Sequence, residues 1–342
     1  MAAELDFFIP ESLNASSPAE YSGRKREEVR LLVIDSVAGT ALHDDFVHIG
    51  HYLKKGDLLV LNSSRTIPAV MYGELGGKAV EVRLSRRVTP SEWEALMLHC
   101  TASTGDILFF PGGLEARLTG GGSEEPLVRL EFSMSNEKLF DWLYRFGKPV
   151  RYEYINGDWP LDAYQTVYAS SPGSVEMPSA GRAFSWKLLQ QLRKSGIKLA
   201  FLQLHAGLSY YGNDRWPHPE KHPEWCRLPA ETADLINRTK QQGGRVIAVG
   251  TTAVRTLETA ADSDGHVTPF SGLTNVYVNE QYKLKTADGL LTGLHEPEAS
   301  HLDMLSAFTG RSKLMEAYRQ ALSFGYFWHE FGDMNLILPM ES

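Results

Sequence analysis

Side chains that could bind an anion or a carbonyl oxygen follow a short aliphatic run in RVIAVGTTAVRTLETAA, residues 245–261. The run stops at Gly250, and two threonines open a series of good helix formers that carries Arg255 and Glu258 one turn apart. Hydroxyls and free backbone N–H groups at a helix N-terminus suit an anion or a carbonyl oxygen. Arg255 could form a bidentate pair with the carboxylate of a substrate or of Glu258. The alternative is a capped helix with an ordinary intrahelical ion pair.

A second polar segment, YQTVYA at residues 164–169, places two tyrosines and a glutamine within five residues, ahead of PSAG at residues 178–181. Aromatic rings beside amides can stack on a flat base and hydrogen-bond to its edge. The alternative is an ordered loop held by tyrosine packing. Ser185, shortly after PSAG, could cap the helix that follows.

Three histidines, His205, His222 and His295, border the ends of predicted strands. A histidine there could act as a general base or donate a hydrogen bond to a substrate, and the alternative is a structural hydrogen bond. The histidines form no HExxH set, which argues against metal ligation.

Alternating strands and helices must position these loops. Strands are predicted from RLLVIDS, DLLVLN, IKLAFLQLHAG, RVIAVG and FGDMNLIL, and helices from FSWKLLQQLRKSG, PAETADLINRTKQQGG, the segment from about Thr252, and LMEAYRQALSFG. This alternation predicts an α/β fold with a mostly parallel sheet and helices packed on it. Ligands in such folds collect at the carboxyl ends of the strands, so the loops above form one candidate site.

Residues 63–147 have a different sequence pattern, with six short β-rich segments separated by glycines. Evenly spaced short strands with turn signals predict a small antiparallel barrel or sandwich. Because the α/β alternation resumes afterwards, we expect an inserted β-domain at 63–147 within a discontinuous α/β domain at 1–62 and 148–342.

Composition narrows the class of protein. The 342 residues carry a formal net charge of −8, which argues against a surface that is one large nucleic-acid patch. The two cysteines form no CxxC pair, the N-terminus lacks a signal-peptide pattern, and no apolar run is long enough for a membrane span. These features predict a soluble cytoplasmic protein that does not bind a membrane.

Taken in order, these segments resemble the S-adenosylmethionine:tRNA ribosyltransferase-isomerases of queuosine biosynthesis. The resemblance runs from about residue 5 to residue 338 and is most specific in VGTTAVRTLE and YQTVYA, while the barrel region matches loosely and is shortened. The other matching segments are YSGRKREEVRLLVID, GDLLVLNSSRTIPAVMYG, GGKAVEVRL, PSAG, LHAG, the loop at His295–Pro297, SAF and FGD.

The resemblance implies an α/β protein with an inserted barrel that uses S-adenosylmethionine as co-substrate and no metal. The family transfers the ribosyl part to the aminomethyl group of a 7-deazaguanine at the tRNA wobble position, rearranges the sugar to an epoxycyclopentane, and releases adenine and methionine. The sulfonium acidifies the adjacent C5′ protons, so a base can start the reaction, and a hydrogen-bond donor would help adenine to leave.

Several loops depart from the family pattern, which suggests a paralogue with a retained donor site and an altered acceptor or chemistry. The departures are Arg182-Ala183-Phe184 for Leu-His-Phe, Leu208–Tyr211 for a glycine- and threonine-containing stretch, Pro219–Glu224 for His-x-Met-His-Ser-Glu, Glu280-Gln281-Tyr282 for Pro-Gly-Tyr, Thr292–Ser300 for Thr-Asn-Phe-His-Leu-Pro-x-Ser-Thr, and Gly332–Asn335 for Gly-Asp-Ala-Met.

The leading interpretation is an S-adenosylmethionine-dependent transferase and isomerase with tRNA as the family's acceptor. The alternatives are a relative with a small acceptor or none, and a non-catalytic protein that binds an adenosyl ligand or tRNA. The predicted catalytic residues are His205, His222, His295 and Asp333, with Asp333 orienting a partner. The predicted substrate-binding residues are Tyr164, Gln165, Thr166, Tyr168, Ser179, Gly181, Arg182, Gly207, Glu224, Gly250, Thr251, Thr252, Arg255, Glu258 and Tyr282. Among these, Tyr164, Gln165 and Tyr168 would recognise the base, and Thr251, Thr252 and Arg255 would hold polar groups of the donor.

Overall fold

The computed structural model describes residues 7–213, 215–218, 220–296 and 301–340. Within these residues the chain forms a nine-stranded mixed sheet, a closed six-stranded barrel and a two-stranded pairing. The strands, in chain order, are β1 (Arg30–Asp35), β2 (Ala41–Asp45), β3 (Leu58–Asn62), β4 (Ser64–Thr66), β5 (Val70–Leu75), β6 (Lys78–Arg87), β7 (Glu92–Leu98), β8 (Ile107–Phe110), β9 (Leu114–Gly121), β10 (Val128–Phe132), β11 (Ser171–Ser174), β12 (Lys198–Leu204), β13 (Glu224–Leu228), β14 (Val246–Val249), β15 (Phe270–Thr274), β16 (Gly289–Gly293) and β17 (Met334–Leu338). The helices are α1 (Asn136–Phe146), α2 (Trp186–Lys194), α3 (Ala230–Gln241), α4 (Thr251–Ala260), α5 (His301–Thr309) and α6 (Arg311–Ser323).

The large sheet has the strand order β15-β13-β12-β3-β14-β16-β17-β1-β2. Its centre, β12-β3-β14-β16, is parallel as the sequence predicts, and β15, β13, β17 and β2 each have an antiparallel neighbour, so the sheet is mixed rather than purely parallel. A parallel pair needs a crossover, whereas an antiparallel strand can return directly. Between β16 and β17 the packed pair α5 and α6 brings the chain back to the end of the sheet at which β16 finished, so β17 runs in the opposite direction.

The aliphatic runs form the buried centre of this sheet. All residues of β3, β14 and β16 are buried, as a strand covered on both faces requires. Successive side chains of β14 alternate between two cores, Val246 and Ala248 against α3, α4, α5 and α6, and Ile247 and Val249 against α2. Ser185 caps α2 as predicted, because its hydroxyl accepts a hydrogen bond from Leu188 N at 3.1 Å.

The closed barrel has the order β10-β7-β6-β5-β8-β9 and uses the six β-rich segments that the sequence predicts. One element of this region was not predicted, the helix α1, which packs Leu139, Trp142 and Leu143 into the barrel core. The Trp142 indole also donates a hydrogen bond to Pro111 O at 2.7 Å. The limits 63–147 for an inserted domain remain a prediction, and β4 pairs with β11, which lies after residue 147.

In the described ranges, no helix is long and apolar enough to cross a membrane.

Candidate active site

A cavity of about 230 Å³ opens at the edge of the sheet where β12, β14 and β16 end and where β13 and β17 begin. This is the edge that the sequence pattern favours for ligand binding. Its lining comes from Thr66, Val150, Tyr152, Tyr154, Tyr164, Val175–Ala180, Ala206–Ser209, Trp216, Pro217, His222, Glu224, Gly250–Thr252, Arg255, Val276–Val278, Thr292–Glu296, His301, Met304, His329 and Glu330.

Asn62, the last residue of β3, fixes the neighbouring strand ends at this edge. Its amide donates to Leu204 O at 2.9 Å and to Thr252 Oγ1 at 3.1 Å. Its carbonyl oxygen accepts from Ser64 N at 3.0 Å and from Leu204 N at 3.1 Å. Asn62 is fully buried. The sequence signal for its role, a polar residue directly after the aliphatic run DLLVL, was missed.

Replacement of Asn62 by alanine is expected to lower the free energy of unfolding by about 2–3 kcal/mol, because buried backbone groups of Leu204 and Ser64 lose their partners. Urea denaturation of the full chain measures this change. Asn279→Ala is the matched control, since Asn279 caps a surface turn through Gln281 N and its loss should cost well under half as much. Equal effects of the two changes would show that Asn62 does not hold the strand ends together.

The first turn of α4 forms one wall of the cavity through Thr251 and Thr252. Gly250 precedes it with a φ of 94°, and a Cβ there would lie 3.3 Å from Ala180 Cβ. The positive φ favours glycine, and the close contact leaves little room for a side chain. Because glycine has no side chain, it cannot cap the N–H groups of this turn, and the helix N-terminus keeps its affinity for an anion or a carbonyl oxygen.

Arg255, one turn further along α4, pairs with Glu224 at the start of β13. The other carboxylate oxygen of Glu224 accepts from Gly207 N at 2.8 Å. Arg255 also donates to Thr274 O at 3.3 Å, while its Nε is buried without a partner in the part of the chain that the structure describes. This ion pair ties α4, β13 and the loop after β12 together on the cavity wall.

The intrahelical pair between Arg255 and Glu258, one of the sequence-based alternatives, does not form. Glu258 is buried and lies outside the cavity, where its carboxylate accepts hydrogen bonds from Lys285 N at 2.9 Å, Thr286 N at 3.1 Å and Ala287 N at 3.3 Å. Tyr282 lies close to Glu258, away from the cavity wall, and burial raises the pKa of its hydroxyl to about 12. Helix spacing alone could not distinguish these backbone partners from Arg255.

His295 lies on the cavity wall within a group of stacked and paired histidines. Its Nε2 is 2.7 Å from Thr292 Oγ1, and its ring stacks on His301 with 4.4 Å between centroids. Burial and the neighbouring His301 and His329 hold the pKa of His295 well below its usual value, so its ring is neutral at pH 7. His329 forms a pair with Glu296 at 2.9 Å.

The other two predicted histidines have different surroundings. His222 is buried on the cavity wall with Nδ1 3.3 Å from the Tyr211 hydroxyl and Nε2 unpartnered among the described residues. Burial lowers its pKa. His205 lies behind the wall, where Nδ1 is 2.6 Å from Ser64 Oγ and the ring stacks on Trp225. Burial and the positive charge of Arg87 lower the pKa of His205 to about 4.

The YQTVYA segment contributes one residue to the cavity wall, Tyr164, whose buried hydroxyl has no hydrogen-bond partner among the described residues. The Gln165 amide instead forms two hydrogen bonds with the backbone of Thr66, at 3.1 and 2.8 Å. Tyr168 packs in the core against Phe201, with Thr166 buried nearby. Gln165 and Tyr168 therefore hold the loop that places Tyr164 on the cavity wall.

A family model described as queuosine biosynthesis protein matches residues 2–337. The chain belongs to this family. The sequence-based recognition is therefore confirmed, as is the expectation of a transferase and isomerase enzyme of queuosine biosynthesis.

Relatives of the queuosine biosynthesis family match over nearly their whole length. An S-adenosylmethionine:tRNA ribosyltransferase-isomerase of Thermoanaerobacter sp. (strain X514) is 36% identical over 351 residues, which cover 98% of this chain and 99% of the relative. The enzyme of the same name from Caldanaerobacter subterraneus subsp. tengcongensis is 37% identical, with the same coverage. A crystal structure of an S-adenosylmethionine tRNA ribosyltransferase from Thermotoga maritima has a TM-score of 0.56 and 29% identity, covering 98% of this chain and all of that one.

Two polar residues in segments that depart from the family pattern contact protein groups away from the cavity. Arg182 donates to Ala163 O at 2.9 Å and pairs with Glu20, with its guanidinium over the Phe331 ring. The Asp333 carboxylate accepts from the backbone and side chain of Arg30 and from Phe327 N. The departures at residues 219 and 297–300 lie outside the described residues.

Of the other predicted contacts in this family member, Ser179, Gly207 and Gly250 line the cavity. Gly181 lies behind it, where a Cβ would lie 1.8 Å from the Tyr168 hydroxyl. The close approach of Tyr168 thus requires glycine at this position.

The cavity also contains two carboxylates that the sequence analysis missed, Glu176 and Glu330. The hydroxyl of Tyr152 donates to Glu176, and that of Tyr154 donates to Glu330 at 2.6 Å. Neither glutamate stands in a motif, so the only available signal was their position beside PSAG and FGD. Within the described residues, no group of three or more histidine, cysteine, aspartate or glutamate side chains is arranged to hold a metal ion.

Proposed function

We propose that the protein transfers the ribosyl part of S-adenosylmethionine to the aminomethyl group of a 7-deazaguanine at the tRNA wobble position. The sugar is rearranged to an epoxycyclopentane, and adenine and methionine are released. The observation that carries the proposal is the cavity at the carboxyl edge of the sheet, with the most family-specific segment, VGTTAVRTLE, forming its wall. The names of relatives that match over nearly their full length support ribosyl transfer from S-adenosylmethionine to tRNA together with an isomerisation.

The charge of the cavity suits the proposed reactants. Arg255 is the only arginine or lysine among its described lining residues, and it is already paired with Glu224. Glu176, Glu296 and Glu330 add further acidic groups. S-adenosylmethionine carries a sulfonium and an ammonium against one carboxylate, and the deazaguanine base carries an amine, so the groups that would enter the cavity are cationic in sum, although the tRNA backbone outside it is anionic. Opposite charge in a partly enclosed site favours their binding.

Binding roles follow from position. Thr251 and Thr252 at the N-terminus of α4 would bind the carboxylate or a ribose hydroxyl of the donor. Ser179 and Gly207 would contact it from the adjoining loops, Glu224 would hold the Gly207 loop in place, and Arg255 would present its guanidinium to a polar group of the donor. Gln165, Thr166, Tyr168, Gly181, Arg182, Glu258, Tyr282, His205 and Asp333 would act from behind the wall by positioning these segments.

The chemistry needs a base for the acidified C5′ proton and a donor for the leaving purine. His295 fits the base because its ring is neutral at pH 7, and a hydrogen bond from Nε2–H to Thr292 leaves Nδ1 as acceptor. Tyr164 fits the donor because burial raises the pKa of its hydroxyl to about 12, so that it keeps its proton. His222 would complete the wall beside them.

The reaction is tested by incubating the full chain with S-adenosylmethionine and tRNA that carries 7-aminomethyl-7-deazaguanine. Free adenine and methionine in equal amounts are expected, measured by chromatography. The matched control is the same tRNA with guanine at the wobble position, for which no adenine is expected. Adenine without tRNA would replace the acceptor in this proposal by a small molecule or water, and binding without any product would make the chain a binding protein.

A further inference from the structure

Two tyrosine–glutamate pairs stand side by side on the cavity wall. Glu176 Oε1 accepts hydrogen bonds from the Tyr152 hydroxyl and from Ser209 N, the latter at 2.7 Å. Glu330 accepts from the Tyr154 hydroxyl. The rings of Tyr152 and Tyr154 lie 6.1 Å apart between centroids, so the two pairs form one surface. In this surface, Tyr152 and Tyr154 lie in the segment after the barrel, Glu176 follows β11, and Glu330 precedes β17.

Neither carboxylate of this surface has an arginine or lysine partner among the described residues. Carboxylates away from bulk water are costly when no positive charge faces them. Burial accordingly raises the pKa of Glu176 to about 7 and raises the pKa of Glu330 as well. The charge of Glu330 adds to the rise at Glu176, and the charge of Glu296 adds to the rise at Glu330. A cation bound between the two carboxylates would supply the missing charge.

A separate feature points to a ligand at the same place. The Tyr164 side chain is 4% exposed, lines the cavity, and has a hydroxyl without a partner in the described ranges. The Tyr164 ring lies 5.3 Å from the ring of Phe331, the residue after Glu330, which places Tyr164 near the second pair. Thr66, 2% exposed on the same lining, also has an unpartnered hydroxyl. Buried polar atoms without partners are rare in native proteins unless something binds them.

We propose that Glu176 and Glu330 form a subsite for a primary ammonium group, with the Tyr164 hydroxyl as its third contact. The inference rests on the proposed function, because both proposed reactants bring such a group, the methionyl α-ammonium of the donor and the aminomethyl group of the acceptor. An ammonium has three N–H donors and can satisfy both carboxylates and one hydroxyl. The aromatic rings of Tyr152 and Tyr154 beside it add a favourable surface for a cation.

The test is calorimetric titration of the full chain at pH 6, in two buffers of different ionisation enthalpy, to count the protons released on binding. Glu176 with a pKa of about 7 is about nine-tenths protonated at pH 6, and a bound cation favours its ionised form. Binding should therefore release close to one proton at pH 6, or more if Glu330 contributes, and much less at pH 8.5. The groups that face Glu176 are Tyr152, Ser209 and Glu330, and those that face Glu330 are Tyr154, His329 and Glu296.

Four probes distinguish the two sources of the ammonium. S-adenosylmethionine and S-adenosylhomocysteine carry the amino-acid group, 5′-methylthioadenosine lacks it, and 7-aminomethyl-7-deazaguanine carries the acceptor amine. Proton release by the first two but not by the third assigns the subsite to the donor. Release by the deazaguanine alone assigns it to the acceptor.

The variant Glu176→Gln should lose most of this release and bind the same probe about 10- to 100-fold more weakly, since a charge-assisted hydrogen bond is removed. Glu316→Gln, on the surface of α6, is the matched control and should behave as the parent. Tyr152→Phe keeps the carboxylate but removes a hydrogen bond that lowers its pKa, so proton release should extend to higher pH.

Equal release by the parent and Glu176→Gln with all four probes would overturn the subsite. Absence of adenine in the tRNA assay with the parent would instead overturn the proposed function and leave the binding result standing.

Discussion

Arg255→Ala is expected to lower the free energy of unfolding by about 3–5 kcal/mol and to reduce adenine release below detection. The Glu224 carboxylate is 6% exposed, and the change would leave it buried without its positive partner. The loop carrying Gly207, which Glu224 holds, would lose its anchor on the cavity wall. Urea denaturation measures the stability, and the tRNA-dependent adenine assay measures the activity.

A double variant separates structure from chemistry at this pair. Glu224→Gln combined with Arg255→Met removes both charges and should recover most of the lost stability, because a buried ion pair is often replaceable by neutral groups of similar volume. Activity should stay lost, since the cavity wall no longer has its guanidinium. Arg319→Ala, which breaks an exposed pair with Glu316, is the control and should change stability by no more than about 0.5 kcal/mol. Recovery of full activity in the double variant would limit the pair to a structural role.

The parts of the fold that the sequence predicts are those in which local pattern and environment agree. The aliphatic runs of β3 and β14 are buried on both faces, so their continuous apolar sequence identifies them. The barrel strands are short and separated by glycines with positive φ, such as Gly76 and Gly112, which mark the turns. Both signals are local, and no long-range pairing is needed to recognise them.

The mixed character of the sheet was not predictable, because strand direction depends on pairing between distant segments. β13 begins within KHPEWCRLP, where two prolines favour a rigid loop, yet it pairs with both β12 and β15. Helix α1 lies in a region dominated by strand patterns, and its eleven residues give only three turns of amphipathic signal. Tertiary pairing and packing decide these elements.

The sequence indicates those candidate-site residues whose position follows from the ends of the strands. It does not indicate which partner a polar side chain binds. Strand ends indicated Thr251, Arg255 and His295, and all three line the cavity. The partner of Arg255, however, is 31 residues away in Glu224, whereas the sequence offered the neighbouring Glu258. A polar side chain has the same appearance in a sequence whether it binds a ligand or a backbone group, as Gln165 does.

The contacts of residues 182–184 explain why this segment can depart from the family pattern. The buried Arg182 side chain pairs with the partly exposed Glu20 and lies over Phe331, and Phe184 packs against Phe46 in the core. None of the three residues lines the cavity. Their departure from the family pattern is therefore accounted for by packing behind the wall, and it gives no reason to assign a different reaction to the cavity.

His295→Asn is expected to reduce kcat for adenine release by about 100- to 10,000-fold, the range associated with loss of a general base. Asparagine keeps a neutral polar side chain but is too short to reach the position of Nε2, so the loss of the hydrogen bond to Thr292 should lower stability by only about 1 kcal/mol. His51→Asn, at an exposed histidine outside the site, is the matched control and should leave kcat unchanged. The adenine assay at saturating S-adenosylmethionine and tRNA measures kcat directly.

The pH profile provides the second measurement for His295. A base must be unprotonated, so activity falls as the pH drops through its pKa, and burial with His301 and His329 nearby lowers that pKa well below 6.5. The acid limb of kcat should therefore lie below pH 6.5 in the parent and be absent from the residual activity of His295→Asn. The ionisation of Glu176 near pH 7 should appear separately, in KM, because it concerns binding of the ammonium rather than proton abstraction. A loss of less than tenfold in kcat, with the acid limb retained, would transfer the role of base to another histidine on the wall, with His222 the first candidate because its Nε2 has no partner among the described residues.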